Sequence, residues 1–159
     1  MPERVVLETH GENETRAVGR RVGAALQGGE RIGLSGELGA GKTCLVRGLA
    51  EGLGIAPELV RSPSFTVIVS YETGRLPLHH IDLFRLAPGA CDGEALREVL
   101  YGTGVCAIEW FERLGEPLEE FLEIQLTFVG PQSRRLVAIA HGLGYDAVLN
   151  RLVEWRTSR

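Results

Sequence analysis

Apolar positions along this chain follow two periods. Some short runs are nearly continuous in apolar side chains or alternate with polar ones, which predicts strands. Longer runs repeat their apolar residues every three or four positions, which predicts amphipathic helices. Read this way, residues 4–7 form a short strand and residues 12–26 a helix, with Val18, Val22, Ala25 and Leu26 on one face. A turn at 27–30 leads to a buried strand at 31–35. A helix follows over 44–50, with Leu45, Val46 and Leu49 at helical spacing, and it ends near Gly52-Leu53-Gly54. Ala56-Pro57 marks a break, and 61–66 is a polar loop.

Residues 67–71 and 76–82 read as strands separated only by Glu72-Thr73-Gly74-Arg75. So short a link makes them an antiparallel hairpin, where a βαβ unit would have placed a helix. A short helix is expected over 92–100 and a buried strand over 105–108, ending at Glu109-Trp110. Residues 111–117 connect it to a strand at 121–128; Gly130-Pro131-Gln132-Ser133 then turns into a strand at 135–140. An amphipathic helix over 146–155 closes the pattern. These elements predict an α/β fold whose sheet is mixed, with a parallel core and antiparallel hairpin or edge strands.

Between the strand at 31–35 and the helix after it stands Gly36-Glu37-Leu38-Gly39-Ala40-Gly41-Lys42-Thr43. This is G-x-x-x-x-G-K-[ST], the P-loop pattern, in its required strand–loop–helix setting. Glycines allow consecutive backbone N–H groups to turn inward on phosphate oxygens. In this pattern the lysine reaches the β- and γ-phosphates, the threonine hydroxyl binds Mg²⁺, and the helix adds the positive end of its dipole. Lys42 is the only lysine of the chain; the other sixteen basic residues are arginine. A compact ammonium suits a phosphate cradle, and the planar guanidinium fork does not replace it cleanly.

Composition narrows the reading. The 159 residues suffice for one domain with a sizeable core, and we expect residues 1–159 to form a single domain. Hydrophobic content of 44% and charged content of 24% are those of a soluble globular protein. The 21 glycines suggest many tight turns. A net charge of −4 argues against a freestanding polyanion binder. No signal peptide or membrane-length apolar run is visible, so a cytoplasmic protein is expected. Cys44, Cys91 and Cys106 form no C-x-x-C pair, which suggests reduced thiols. Cys44, beside the loop, reads as a small apolar helix residue.

A P-loop site needs a carboxylate at the end of a neighbouring strand, to hold Mg²⁺ or to position water. Asp82 after Leu78-His79-His80-Ile81 and Glu109 after Val105-Cys106-Ala107-Ile108 are the candidates. His79-His80 beside Asp82 raises a transition-metal site, but no third ligand stands at readable spacing. Arg61 and Arg85 lie in loops and are the available internal arginines near phosphate.

Five segments in order then carry a resemblance: the P-loop, Ser62-Pro63-Ser64-Phe65-Thr66, Tyr71, His80-Ile81-Asp82-Leu83-Phe84-Arg85-Leu86 and Ile108-Glu109-Trp110. Over nearly its whole length the chain resembles the TsaE (YjeE) family of bacterial tRNA threonylcarbamoyladenosine biosynthesis. The resemblance implies a three-layer P-loop NTPase-type fold that binds ATP or ADP with Mg²⁺. It implies nucleotide contacts from Thr15 and from Glu37, Leu38, Gly39, Ala40, Gly41, Lys42 and Thr43. It puts Thr43 and Glu109 at metal-ligand positions and Asp82 at the acidic position needed for hydrolysis, so that Lys42, Asp82 and Glu109 form the catalytic set. The segment 62–66 looks like the family's switch-like element. The implied partners are a TsaB–TsaD-type complex, which transfers threonylcarbamoyl to adenosine 37 of ANN-decoding tRNAs, and tRNA indirectly through it, with no membrane. Ser64 stands where threonine is usual and Phe84 where tyrosine is usual. Arg134-Arg135 matches weakly and receives no role.

Other P-loop readings fit less well. A small-molecule kinase needs a lid carrying several arginines and an acceptor-binding insert, whereas this chain has a hairpin there. A GTPase needs the second lysine of N/T-K-x-D, which is missing. A nucleotide-binding subunit without turnover remains compatible with the residues.

Overall fold

The structure, a computed structural model, describes residues 3–37, 39–63, 67–85 and 94–159. Its elements in chain order are β1 (Arg4–His10), α1 (Glu12–Ala25), β2 (Arg31–Ser35), α2 (Lys42–Gly52), β3 (Ile68–Tyr71), β4 (Leu78–Asp82), α3 (Glu94–Leu100), β5 (Val105–Glu109), β6 (Phe121–Phe128), β7 (Ser133–His141) and α4 (Asp146–Thr157). Single 3-10 turns occupy Pro57–Leu59 and Phe111–Arg113.

The seven strands form one mixed sheet in the order β1-β7-β6-β2-β5-β4-β3. The four central strands β6, β2, β5 and β4 run parallel. β7 pairs antiparallel with both β6 and β1, and β3 pairs antiparallel with β4. The expected hairpin and antiparallel edges are therefore present.

Alternation assigns the two faces. Leu78 on β4, with Val105 and Ala107 on β5, joins a large core with residues of α1, α2 and α4. Ile81, Cys106 and Ile108, one position out of phase, join a smaller core with Leu96 and Leu100 of α3. A period of two on buried parallel strands makes both faces apolar, and helices cover each face. Glu109 and His80 follow the first phase and stand on the α2 face. Among the described residues no helix is long and apolar enough to cross a membrane.

Two expectations need adjustment. Many glycines do take the positive φ of tight turns, as expected, yet Gly19 and Gly23 of α1 face Gly48 and Gly52 of α2. A Cβ on Gly52 would lie 2.5 Å from the Arg20 carbonyl oxygen, and one on Gly48 would overlap that of Arg16. The missing side chains let the two backbones touch. β1 also runs three residues past residue 7, because it pairs with β7 as far as His10–Ser133. The first two residues of the helix expected at 92–100 lie outside the described residues.

Candidate active site

β2 is the pivot of the sheet, with β5 on one side and β6 on the other. In open α/β sheets the crevice for ligands lies at the carboxyl ends of the strands where the order reverses. The P-loop leaves β2 at that edge. Asp82 ends β4 and Glu109 ends β5, directly opposite each other in register.

The loop's backbone requires its glycines at two points. Gly36 has φ +145°, and a Cβ there would lie 2.5 Å from the Leu126 carbonyl oxygen. Gly41 adopts φ 107°, ψ 15° and caps α2 with no side-chain hydrogen bond. The first helical bond runs from Leu45 N–H to Gly41 O at 2.9 Å. The N–H groups of the first turn therefore lie outside the helix's own ladder, at the positive end of its dipole, which is a built anion site. Leu38 lies outside the described residues.

Lys42 is the first residue of α2 and is 5% exposed. Its ammonium donates to the Gly36 and Glu37 carbonyl oxygens and lies 4.2 Å from the centroid of the Trp110 ring. Burial lowers its pKa, while the charges of Glu109, Glu112 and Asp82 pull the other way. Thr43 donates its hydroxyl to Glu109, 3.2 Å from Oε2 and 3.4 Å from Oε1. Glu109 is itself 4% exposed. One hydroxyl and one carboxylate together form a hard oxygen donor set, which fits Mg²⁺. Asp82 accepts from the Ser62 hydroxyl at 3.1 Å and from the Phe84 N–H at 2.9 Å.

These residues line a cleft of about 420 Å³ that also takes in Arg47, Phe84, Arg85 and Trp110. An adjoining hollow of about 660 Å³ lies beyond the P-loop between Glu12, Thr15 and Arg134. Thr15 is buried, with its hydroxyl 2.8 Å from that of Thr9 and 3.3 Å from the Gly11 carbonyl oxygen it donates to. Its methyl faces Gly41, 3.7 Å from where a Cβ would stand. Glu37 is exposed and Ala40 buried, with Ala40 N–H bonded to Glu37 O at 3.0 Å. Arg61 sits in an exposed loop and is not among the residues lining the cleft.

Four residues gain a place that sequence reasoning did not give them. Trp110 adopts a left-handed conformation at φ 60°, unusual for a residue with a Cβ, and this turns its ring over Lys42. Phe84 packs on it with ring centroids 5.0 Å apart. Arg134 on β7 donates from Nε to the Ala40 carbonyl oxygen at 3.2 Å, so the antiparallel edge supports the P-loop. His80 is wholly buried, with Nε2 2.5 Å from Glu109 Oε2. His79, one position out of phase, instead meets Ser70 Oγ at 2.7 Å. Among the described residues no group of three metal-ligating side chains forms.

Known proteins share this fold and much of this sequence. A crystal structure of Bacillus subtilis YdiB aligns with a TM-score of 0.78 at 33% identity, covering 98% of this chain and 97% of that one; its fold is of the P-loop NTPase type. The tRNA threonylcarbamoyladenosine biosynthesis protein TsaE of Bacillus subtilis (strain 168) is 39% identical over 140 residues, 87% of each chain. Its counterpart in Treponema pallidum is 46% identical over 115 residues, covering 68% of this chain and 79% of that protein. The family model for threonylcarbamoyl adenosine biosynthesis protein TsaE matches residues 9–136, a span that holds the P-loop, Asp82, Glu109 and Arg134. The chain belongs to the TsaE family.

Proposed function

We propose that this chain is a Mg²⁺-dependent ATPase of the cytoplasm that drives threonylcarbamoylation of adenosine 37 in ANN-decoding tRNAs. It acts with a TsaB–TsaD-type complex and meets tRNA through that complex. The observation that carries the reading is the convergence of Lys42, Thr43, Asp82 and Glu109 at one edge of the sheet, around a helix N-terminus with no side-chain cap.

Each group has a task. The loop N–H groups hold the phosphates, and the Lys42 ammonium leaves its two carbonyl partners to follow them. Thr43 and Glu109 would hold Mg²⁺, which when bound would neutralise phosphate charge. Asp82, tethered by Ser62 and by the Phe84 N–H, orients the attacking water. Trp110 and Phe84 wall the cleft and keep Lys42 in a drier setting, where its charge acts more strongly. Phosphoryl transfer depends on positioning and charge stabilisation, so a partner that supplies or orders a missing group raises turnover by orders of magnitude. The isolated chain is therefore slow.

The test is ATP turnover and nucleotide-dependent association with the TsaB–TsaD-type complex from the same source. Faster turnover with the complex, and tighter association with ATP than with ADP, are expected. By linkage, such a partner also tightens ATP binding. Unchanged hydrolysis and nucleotide-independent association would remove the coupling and leave the ATP site. Label passing from ATP to a small-molecule acceptor would instead make the chain a kinase.

A further inference from the structure

His80 is a buried polar side chain that the mechanism above does not use. It stands two residues before Asp82 on β4, so both side chains project from the α2 face of the sheet. In register it lies opposite Ala107, and Glu109 is the next residue of β5 on the same face. Its Nε2 lies 2.5 Å from Glu109 Oε2, and its Nδ1 has no hydrogen-bond partner among the described residues. An ionised carboxylate can only accept, so the contact is made by a proton on Nε2.

The unpartnered nitrogen argues against a packing role. An aliphatic side chain would fill the same buried strand position without leaving a buried polar atom unsatisfied. The histidine does something an aliphatic residue cannot: it fixes one oxygen of Glu109. Thr43 does not choose between the two oxygens, since its hydroxyl reaches Oε2 at 3.2 Å and Oε1 at 3.4 Å. His80 contacts Oε2 alone and at the shorter distance.

We propose that His80 is the positioning residue of the metal site: it holds Glu109 by Oε2 and presents Oε1, beside Thr43 Oγ1, to the divalent cation. The inference rests on the Mg²⁺ assignment under the proposed function. Groups that orient a metal-binding carboxylate affect metal affinity by about 10- to 100-fold when removed.

The experiment compares ADP affinity with Mg²⁺ and with EDTA by calorimetry, in wild type, His80→Leu, His80→Gln and His80→Asn. The readout is the ratio of the two affinities, so a general loss of nucleotide binding cancels. A glutamine amide N–H takes up the place of Nε2, whereas asparagine falls short of Glu109. His80→Leu and His80→Asn are expected to lose about 10-fold or more of the Mg²⁺-dependent gain. His80→Gln recovers most of it. In a Glu109→Gln background, His80→Leu adds no further loss, because the group it positions is already altered. A wild-type gain in His80→Leu, an added loss in that background, or equal losses in the Gln and Asn variants would overturn the proposal. Should His80→Leu fail to fold, the Gln and Asn pair decides alone. Wild type without any Mg²⁺-dependent gain would remove the metal assignment itself, and this proposal with it.

Discussion

Two regions hold α2 in place, and they do so by opposite means. Along its flank, α2 meets α1 through Gly48 and Gly52 against Gly19 and Gly23, with backbone against backbone, and Arg16 and Arg20 of α1 pair with Glu51 of α2 at the margin. At its N-terminus it opens on a cleft where Lys42, Glu109 and His80 are all buried. The glycine seam gains close packing by having no side chain between the two backbones. The cleft accepts buried charge, which is unfavourable unless partnered, and partners it with carbonyl oxygens, a hydroxyl and an imidazole. Changes in the seam should therefore cost stability and spare the chemistry. Changes in the cleft should do the reverse.

The sharpest break in this contrast comes from Asp82→Asn. Retained MgATP binding with a loss of turnover of about 100-fold or more is expected in single-turnover experiments, because a positioned carboxylate typically contributes that much. Glu109→Gln should instead weaken the Mg²⁺ dependence of binding. Exchanged signatures would mean that the two roles are swapped.

Gly48→Ala tests the seam. Its new methyl meets the Arg16 carbonyl and the Gly19 Cα, both backbone, so nothing flexible can give way. Destabilisation of about 3 kcal/mol is expected in urea denaturation, at the upper end of overpacking effects. The folded fraction should still bind nucleotide like wild type. A loss of affinity without a loss of stability would place the seam in the chemistry.

Arg134→Ala lies between the two cases. It removes a charged donor from the Ala40 carbonyl, a bond of about 1.5–3 kcal/mol in favourable settings. We expect MgADP affinity to fall by about tenfold together with a modest drop in the denaturation midpoint. Equal affinity would show that the P-loop holds its shape unaided.

The smallest effect concerns Cys106 in the core beneath α3. Its thiol donates to the Val99 carbonyl, and burial pushes its pKa up to about 12. It should resist a thiol reagent at pH 8 until the protein unfolds. The native state keeps the proton that an unfolded thiol loses from about pH 9 upward, so this group's contribution to stability falls as pH rises from 9 towards 12. Fast native labelling at Cys106 would mean that the smaller core opens readily.

Local patterns revealed most of the fold. The strands at 31–35 and 121–128 match the structure residue for residue, since alternation and apolar runs are properties of neighbours in sequence. The P-loop was visible because its chemistry needs eight consecutive residues. Helix α2 starts two residues before the expected 44, because Gly41, within the motif, already serves as its cap. What pairs distant segments was not visible. His80 and Glu109 are 29 positions apart, and only the register of β4 on β5 joins them. Arg134 reaches Ala40 across 94 positions. The glycine seam was hidden for a different reason: a glycine in a helix looks like a flaw until the facing glycine is known.

The central claim is that the buried Lys42 and the glycine loop bind Mg-nucleotide. Calorimetric titration of MgADP into wild type and Lys42→Ala, at matched folded fraction, tests it most directly. The account predicts clear binding to wild type and a loss of about 100-fold or more in the variant, where a buried charge-assisted contact is removed. Equal affinity in the two proteins would contradict it.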